Sequence, residues 1–298
     1  MAGPKLRAFR SRAIYRAILA ISFIGRRVPL PVGRSLGRAI GELGWRFARR
    51  HRRKALENIA IAFPEWPHAR RRKTIHDMFL HLGASLFEIV WLPKLDANNL
   101  KKTTTYEGVE RVLEIARSGR PVVIFTGHCG NWEWLAAAIA RAGLPLTALQ
   151  RERDEGGLND FIRDIRAANG VKTIDRGSPG AGRDLIHALR TGVLGFLIDQ
   201  SLRVESVNVP FFGRPAQTPV GPAKIAIRAG ACAVPVFIER REDGTHLARF
   251  LEPVELNRND DPVALTALMT RAIEDQIRRA PEQWVWMHDR WRQRSSRF

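Results

Sequence analysis

Seven consecutive residues, Gly127-His128-Cys129-Gly130-Asn131-Trp132-Glu133, put an imidazole, a thiol and a carboxylate within two turns of chain. They follow Pro121–Thr126 (PVVIFT), a short β-branched run bounded by glycine that reads as a buried strand. Asn131 suits a helix N-cap, which puts Glu133 in the first helical turn, where a carboxylate favours the helix dipole. His128 then projects from the strand-to-helix loop, with Glu133 close enough to reach back to its ring. A carboxylate that accepts from one imidazole nitrogen fixes the tautomer and leaves the other nitrogen as a base. The helix start also offers backbone N–H groups to a developing oxyanion. A satisfied loop histidine and a capping glutamate are the bland alternative. Placement at a strand end, with Gly127 and Gly130 permitting tight turns, favours chemistry.

Other residues invite the same scrutiny. Arg151 follows a second strand end, where its guanidinium could hold a phosphate or a thioester oxygen through forked hydrogen bonds. Asp199, followed by Gln200, ends the apolar run Val193–Ile198, where an acid is placed to orient a basic or hydroxyl group. Phe211, Phe212 and Gly213 read as packing and a turn, or as the lining of an acyl pocket. Trp284, Trp286 and Trp291, among Arg290, Arg292 and Arg294, suit either a core or an interfacial aromatic set. Several matches fail on context. Gly33-Arg-Ser35-Leu-Gly37 has no strand before it, as a nucleophile elbow requires. Gly177–Gly182 lacks the Lys-Ser/Thr of a phosphate-binding loop. Cys129 and His128, as neighbours, point apart, against a thiol nucleophile. No spacing indicates a metal, and no cofactor is implied.

The elements that must position these groups fall into two textures. Residues 5–92 read as helical, with apolar residues three and four apart and prolines 29, 31, 64 and 67 as punctuation. From about residue 106 strands and helices alternate: strands at 121–126, 145–149, 171–174, 193–198, 232–238 and 246–251, and helices at 131–142, 157–168, 182–191, 219–229 and 262–279. A loop is expected from 199 to about 217. The pattern predicts an α/β fold with a mixed, mostly parallel sheet flanked by helices. Ligands in such sheets bind beyond the carboxyl ends of strands, where His128, Arg151 and Asp199 all lie.

Charge adds a partner. Of a formal net charge of +19, residues 1–54 hold +14, from 15 Lys and Arg against Glu42 alone. These cations alternate with bulky apolar residues such as Ile18, Phe23, Ile24, Leu36, Ile40 and Trp45, the composition of a helix lying in a lipid headgroup layer. Arms that bind nucleic acid are poorer in such residues, so an anionic membrane surface is expected and nucleic acid is not. The longest clean run, Ala17–Gly25, is too short to span a bilayer. Cys129 and Cys232 suit reduced thiols in a cytoplasmic compartment. The organisation read from this is a basic amphipathic membrane-associating segment, 1–54, continuous with a catalytic domain, 55–298.

The heptapeptide resembles the His-x4-Asp/Glu box of glycerolipid acyltransferases, and its Gly-Asn-Trp-Glu form is similar to the lauroyl/myristoyl acyltransferases of lipid A biosynthesis. Gln150-Arg151 with Asn159, Asp199-Gln200, Val209-Pro-Phe-Phe-Gly213 with Ala216, Thr218 and Gly221, Gly230-Ala231, Pro235 and Pro281–Trp286 follow in that family's order. Ser201 and Asp289 depart from it. The resemblance covers roughly residues 40–292. It implies an O-acyltransferase with His128 as base and Glu133 as its orienting partner, and Asn131, Arg151, Asp199 and Gln200 in substrate or oxyanion support. The implied donor is an acyl-acyl carrier protein and the acceptor a lipid A precursor, at the cytoplasmic face of the bacterial inner membrane. A lysophospholipid or other glycolipid acceptor with acyl-CoA is the nearest rival. A non-catalytic basic protein that binds membrane or nucleic acid is the rival from another class.

Overall fold

A computed structural model describes residues 15–16, 18–151 and 156–291. The expectations for residues 1–14 and for Arg292 and Arg294 lie outside these. Residues 18–25 are helical, and three helices follow: α1 (Leu30–Phe47), α2 (Arg49–Ala62) and α3 (His68–Trp91). Pro29 and Pro67 precede the first residues of α1 and α3, where a missing N–H costs nothing. The α/β part runs α4 (Ala97–Thr103), β1 (Thr104–Glu107), α5 (Val109–Arg117), β2 (Val122–Thr126), α6 (Trp132–Arg141), β3 (Leu146–Arg151), α7 (Gly156–Ala168), β4 (Lys172–Arg176), α8 (Ala181–Thr191) and β5 (Val193–Leu197). It closes with β6 (Ser206–Phe211), β7 (Arg214–Pro219), α9 (Gly221–Ala229), β8 (Cys232–Arg240), β9 (His246–Phe250) and α10 (Pro262–Arg279).

Seven strands form one sheet in the order β1-β9-β8-β2-β5-β3-β4. Five are mutually parallel; β9 runs antiparallel to β8, and β1 is parallel to β9. The expected mixed, mostly parallel α/β sheet is therefore present. Every residue of β2 is buried, as a central strand covered on both faces requires. Val123 and Phe125 join one core with α8, α9 and α10, while Val122 and Ile124 join the other with α5, α6 and α7.

The stretch expected as a loop to 217 instead holds the β6–β7 hairpin. Pro210, Pro215 and Pro219 interrupt the alternation that would have marked strands, and prolines are tolerated on an unflanked two-stranded ribbon. Phe212 and Gly213 make its turn, both at positive φ (50° and 71°).

The N-terminal helices pack on the α/β part. Glycines 33, 37 and 41 of α1 face α3 across a seam with no room for a side chain: a Cβ at Gly37 would strike the Gly83 carbonyl, and one at Gly41 the Phe79 carbonyl. The opposite side of α1 exposes Val32, Leu36, Ile40, Leu43 and Phe47, each more than half exposed. Ile21, Phe23 and Ile24 are exposed in the same way. Among the described residues one helix, His68–Lys94, is long and apolar enough to cross a membrane by length and composition, and 56% of its most apolar stretch is buried inside the protein.

Candidate active site

Parallel pairing of β2 with β5 sets Thr126 opposite Leu197. Two residues beyond those ends stand His128 and Asp199, so the register delivers an imidazole and a carboxylate to the same place at the sheet's carboxyl edge. His128 Nδ1 lies 2.8 Å from Asp199 Oδ1, the His128 backbone N–H donates to Oδ2 at 2.9 Å, and Trp284 Nε1–H donates to Oδ2 at 2.8 Å. Gly127 permits the approach: a Cβ there would press on Asp199 and Ile273. Asp199 is buried. Burial alone would push its carboxyl up; the charge and hydrogen bonds of His128, with the Trp284 N–H, outweigh that and hold it well below the usual carboxylate range. An ionised Asp199 only accepts, so the proton of a neutral His128 sits on Nδ1 and the Nε2 lone pair is free.

Glu133 does not orient His128, contrary to expectation. It lies in the first turn of α6, as predicted, but its carboxylate is held by a forked pair from Arg166 of α7, Nε to Oε2 at 2.9 Å and a terminal nitrogen to Oε1 at 2.7 Å. The second Arg166 nitrogen donates to Gln150 Oε1 at 2.8 Å, and Gln150 Nε2 donates to Asp175 at 2.7 Å. A guanidinium fork matches a carboxylate better than a single imidazole N–H does, and β5 supplies His128 with a carboxylate of its own.

Asn131 is the N-cap the sequence predicted: its Oδ1 accepts from Trp134 N at 3.2 Å. That leaves the N–H groups of Trp132 and Glu133 at the helix start without an intrahelical acceptor. Arg151 ends β3, opposite Arg176 in the register; its side chain lies outside the described residues. Gln200, next to Asp199, is half-buried. Cys129 is buried, forms a backbone bridge with Trp284, and has its thiol pushed well up by burial and by Asp199, which removes it as a nucleophile. Phe211 and Phe212 are buried and pack with Phe63, Trp284 and Trp286, and against the half-buried Trp291. Trp284 and Trp286 are likewise buried in the core, and Trp291 packs half-buried against it. No group of acids, histidines and cysteines that could hold a metal occurs among the described residues.

A small apolar crevice opens between α6 and the sheet, close to the loop that carries His128. Trp132, Leu135 and Ile139 form its helix side, Ile124, Ala148 and Gly195 its sheet side, and Arg166 is its charged group. The Trp132 ring, which lines the crevice, stands 4.9 Å from that of His128. The arrangement has the parts for a general base acting beside an apolar chain, with helix N–H groups available to a developing negative charge.

Sequence reasoning missed Arg166 and the His128–Asp199 pairing. Arg166 sits on a helix whose basic residues look like a solvated face. The pairing had a signal, since both residues stand just past the ends of buried runs.

The E. coli K12 lipid A biosynthesis lauroyltransferase is 28% identical over 273 residues, 90% of this chain and 88% of the relative. The lipid A biosynthesis palmitoleoyltransferase of the same organism is 26% identical over 279 residues, 93% and 90% of the two chains. A Mycobacterium tuberculosis phosphatidylinositol mannoside acyltransferase is 26% identical over 215 residues, 68% and 66%. The profile of the bacterial lipid A biosynthesis acyltransferases matches residues 4–293, nearly the whole chain. The protein belongs to that family, and it is an acyltransferase.

Proposed function

We propose that the protein moves a fatty acyl group from an acyl thioester, carried on acyl carrier protein, to a hydroxyl of a lipid A precursor. The observation that carries this reading is the His128–Asp199 pair, with the His128 ring against Trp132, a wall of the apolar crevice. The acyl chain lies in the crevice, with each buried methylene contributing about 0.8 kcal/mol. His128 Nε2 takes the proton of the acceptor hydroxyl as its oxygen attacks the thioester carbon. The helix N–H groups of Trp132 and Glu133 face the oxyanion. As the tetrahedral intermediate collapses, the C–S bond breaks and His128 returns the proton to the leaving thiolate, so no acyl-enzyme forms. Asp199 holds the tautomer and stabilises the imidazolium. Glu133 acts through Arg166, fixing that guanidinium at the crevice wall; Arg151, Asn131 and Gln200 support substrate or oxyanion.

A glycolipid acceptor other than a lipid A precursor is the second reading, favoured by the similarity to the mannoside acyltransferase. The protein works at the cytoplasmic face of a bacterial inner membrane, with residues 1–54 as the membrane-associating segment and 55–298 as the acyltransferase domain. The exposed apolar ridge of α1, with Arg38 and Arg46 on the same helix, supports that seat. The test supplies acyl-acyl carrier protein, a lipid A precursor and a phosphatidylinositol mannoside, and follows free thiol and acceptor mass. Thiol release coupled to acylation, lost in His128→Ala, is expected. Acylation of neither acceptor, or full activity in His128→Ala, overturns the reading.

A further inference from the structure

Glu88, in the last turns of α3, is fully buried, and its two oxygens take five hydrogen bonds from four side chains. Oε1 accepts from Arg34 Nε at 2.7 Å, Arg240 Nε at 3.0 Å and His246 Nε2 at 3.0 Å. Oε2 accepts from a terminal nitrogen of Arg240 at 2.6 Å and from Asn131 Nδ2 at 2.8 Å. Burial alone would push the Glu88 carboxyl up; His246 and Arg240 outweigh it and hold it well down, so it is an acceptor only. Such a network costs much to desolvate, and a buried ionic cluster is weak evidence of stability for its own sake. What it touches is more informative. Asn131 is the cap of α6, three residues after His128. A carboxylate that only accepts forces the Asn131 amide to present Nδ2 to Glu88 and Oδ1 to Trp134 N–H. Arg240 continues the hold: its backbone N–H and C=O pair with the Gln283 side chain, and the Gln283 carbonyl accepts from Gly130 N at 2.8 Å.

We propose that Glu88 is a positioning residue for the reaction at His128, setting the orientation of the Asn131 amide and with it the loop that carries the imidazole and the helix N–H groups. The proposal rests on the acyl-transfer reading above. Its signature is directional. In Glu88→Gln with the new oxygen kept toward Arg34, Arg240 Nε and His246, the new NH2 group faces both Asn131 Nδ2 and the terminal nitrogen of Arg240, donor against donor. The Asn131 amide must turn over, which sets its own NH2 against Trp134 N–H and removes the cap. Adding Asn131→Asp supplies oxygens to the new NH2 group and to Trp134 N–H and moves the negative charge across the contact; the clash of the NH2 group with Arg240 remains, so the recovery is partial.

The experiment measures kcat and KM for acyl transfer, with the melting temperature, in wild type, Glu88→Gln, Asn131→Asp, the double variant and Asn131→Ser. Each single exchange is expected to lower kcat by about 10²-fold, the scale of a 1 Å misplacement, with KM within threefold, and the double variant to recover at least tenfold. Asn131→Ser keeps a capping oxygen but loses the reach to Glu88; it is expected to stay folded with kcat lowered, and it serves if Glu88→Gln does not fold. Folded single variants with wild-type kcat, or a double variant no better than the worse single one, overturn the proposal. Failure of the wild type to transfer an acyl group would instead overturn the acyl-transfer reading.

Discussion

Replacing Asp199 by asparagine tests the proposed catalytic pair with almost no change of shape. The carboxylate takes three donors, two of them on Oδ2 (His128 N–H and Trp284 Nε1–H) and one on Oδ1 (His128 Nδ1). An amide has one acceptor atom. Placed at the Oδ2 position, the oxygen satisfies two donors and leaves the NH2 facing Nδ1. Turned over, it satisfies one and sets the NH2 against two N–H groups. Each buried unpaired donor costs about 1–3 kcal/mol, so the first orientation prevails by that margin. There Nδ1 must accept, the ring proton moves to Nε2, and the base is blocked. Adding the lost stabilisation of the imidazolium, the expected fall in kcat is about 10³ to 10⁴-fold, roughly 4–5.5 kcal/mol, comparable with the same exchange in a serine-protease triad. Single-turnover thiol release reads the rate, and nitrogen shifts of the imidazole read the tautomer. A variant that keeps more than a tenth of wild-type kcat, or keeps its proton on Nδ1, refutes the reasoning. So does a His128→Ala/Asp199→Asn double variant whose losses simply multiply.

Glu133→Ala leaves the Arg166 guanidinium unpaired at the crevice wall, so a destabilisation of about 3–5 kcal/mol, read by denaturant midpoint, should accompany lost activity. Cys129→Ser should retain acyl transfer within about threefold, because a thiol that burial keeps protonated contributes no nucleophile; abolished turnover would return the sulfur to the mechanism. Asp199 is held below its ordinary value of 3.8, so its contribution to stability is full above about pH 4 and is lost as pH falls through the lowered value. Denaturation midpoints between pH 5 and 2 should therefore fall more steeply in wild type than in Asp199→Asn. Leu36→Asp with Ile40→Asp should reduce sedimentation with anionic vesicles at moderate salt while leaving thiol release from a soluble thioester intact; unchanged sedimentation would remove the ridge from membrane binding.

Both members of the proposed catalytic pair were visible in the sequence because each follows an apolar run, but their partnership was not. They are 71 residues apart and meet only through the register of β2 on β5. The local rule that paired His128 with Glu133 gave way to a better-matched cation 33 residues away. The alternating strands and helices were readable because β-branched runs and glycine stops recur. The β6–β7 hairpin was hidden by its prolines, and β1 by its four-residue length. Glu88 gave no local signal, since an acid in the apolar second half of a helix declares its role only when Arg34, Arg240, His246 and Asn131 converge on it.

The glycine seam between α1 and α3 bears on how this protein can be handled. Backbone touches backbone there, so α1 lacks the side-chain cushion that lets most surface helices be trimmed or swapped. A shortened chain beginning at residue 55, made in the hope of a detergent-free catalytic core, would bare the faces of Phe79 and Phe87 and strip Arg34 from the buried Glu88. Solubility is better sought by recolouring the outward ridge at Val32, Leu36, Ile40, Leu43 and Phe47 with polar residues, leaving every glycine of the seam in place.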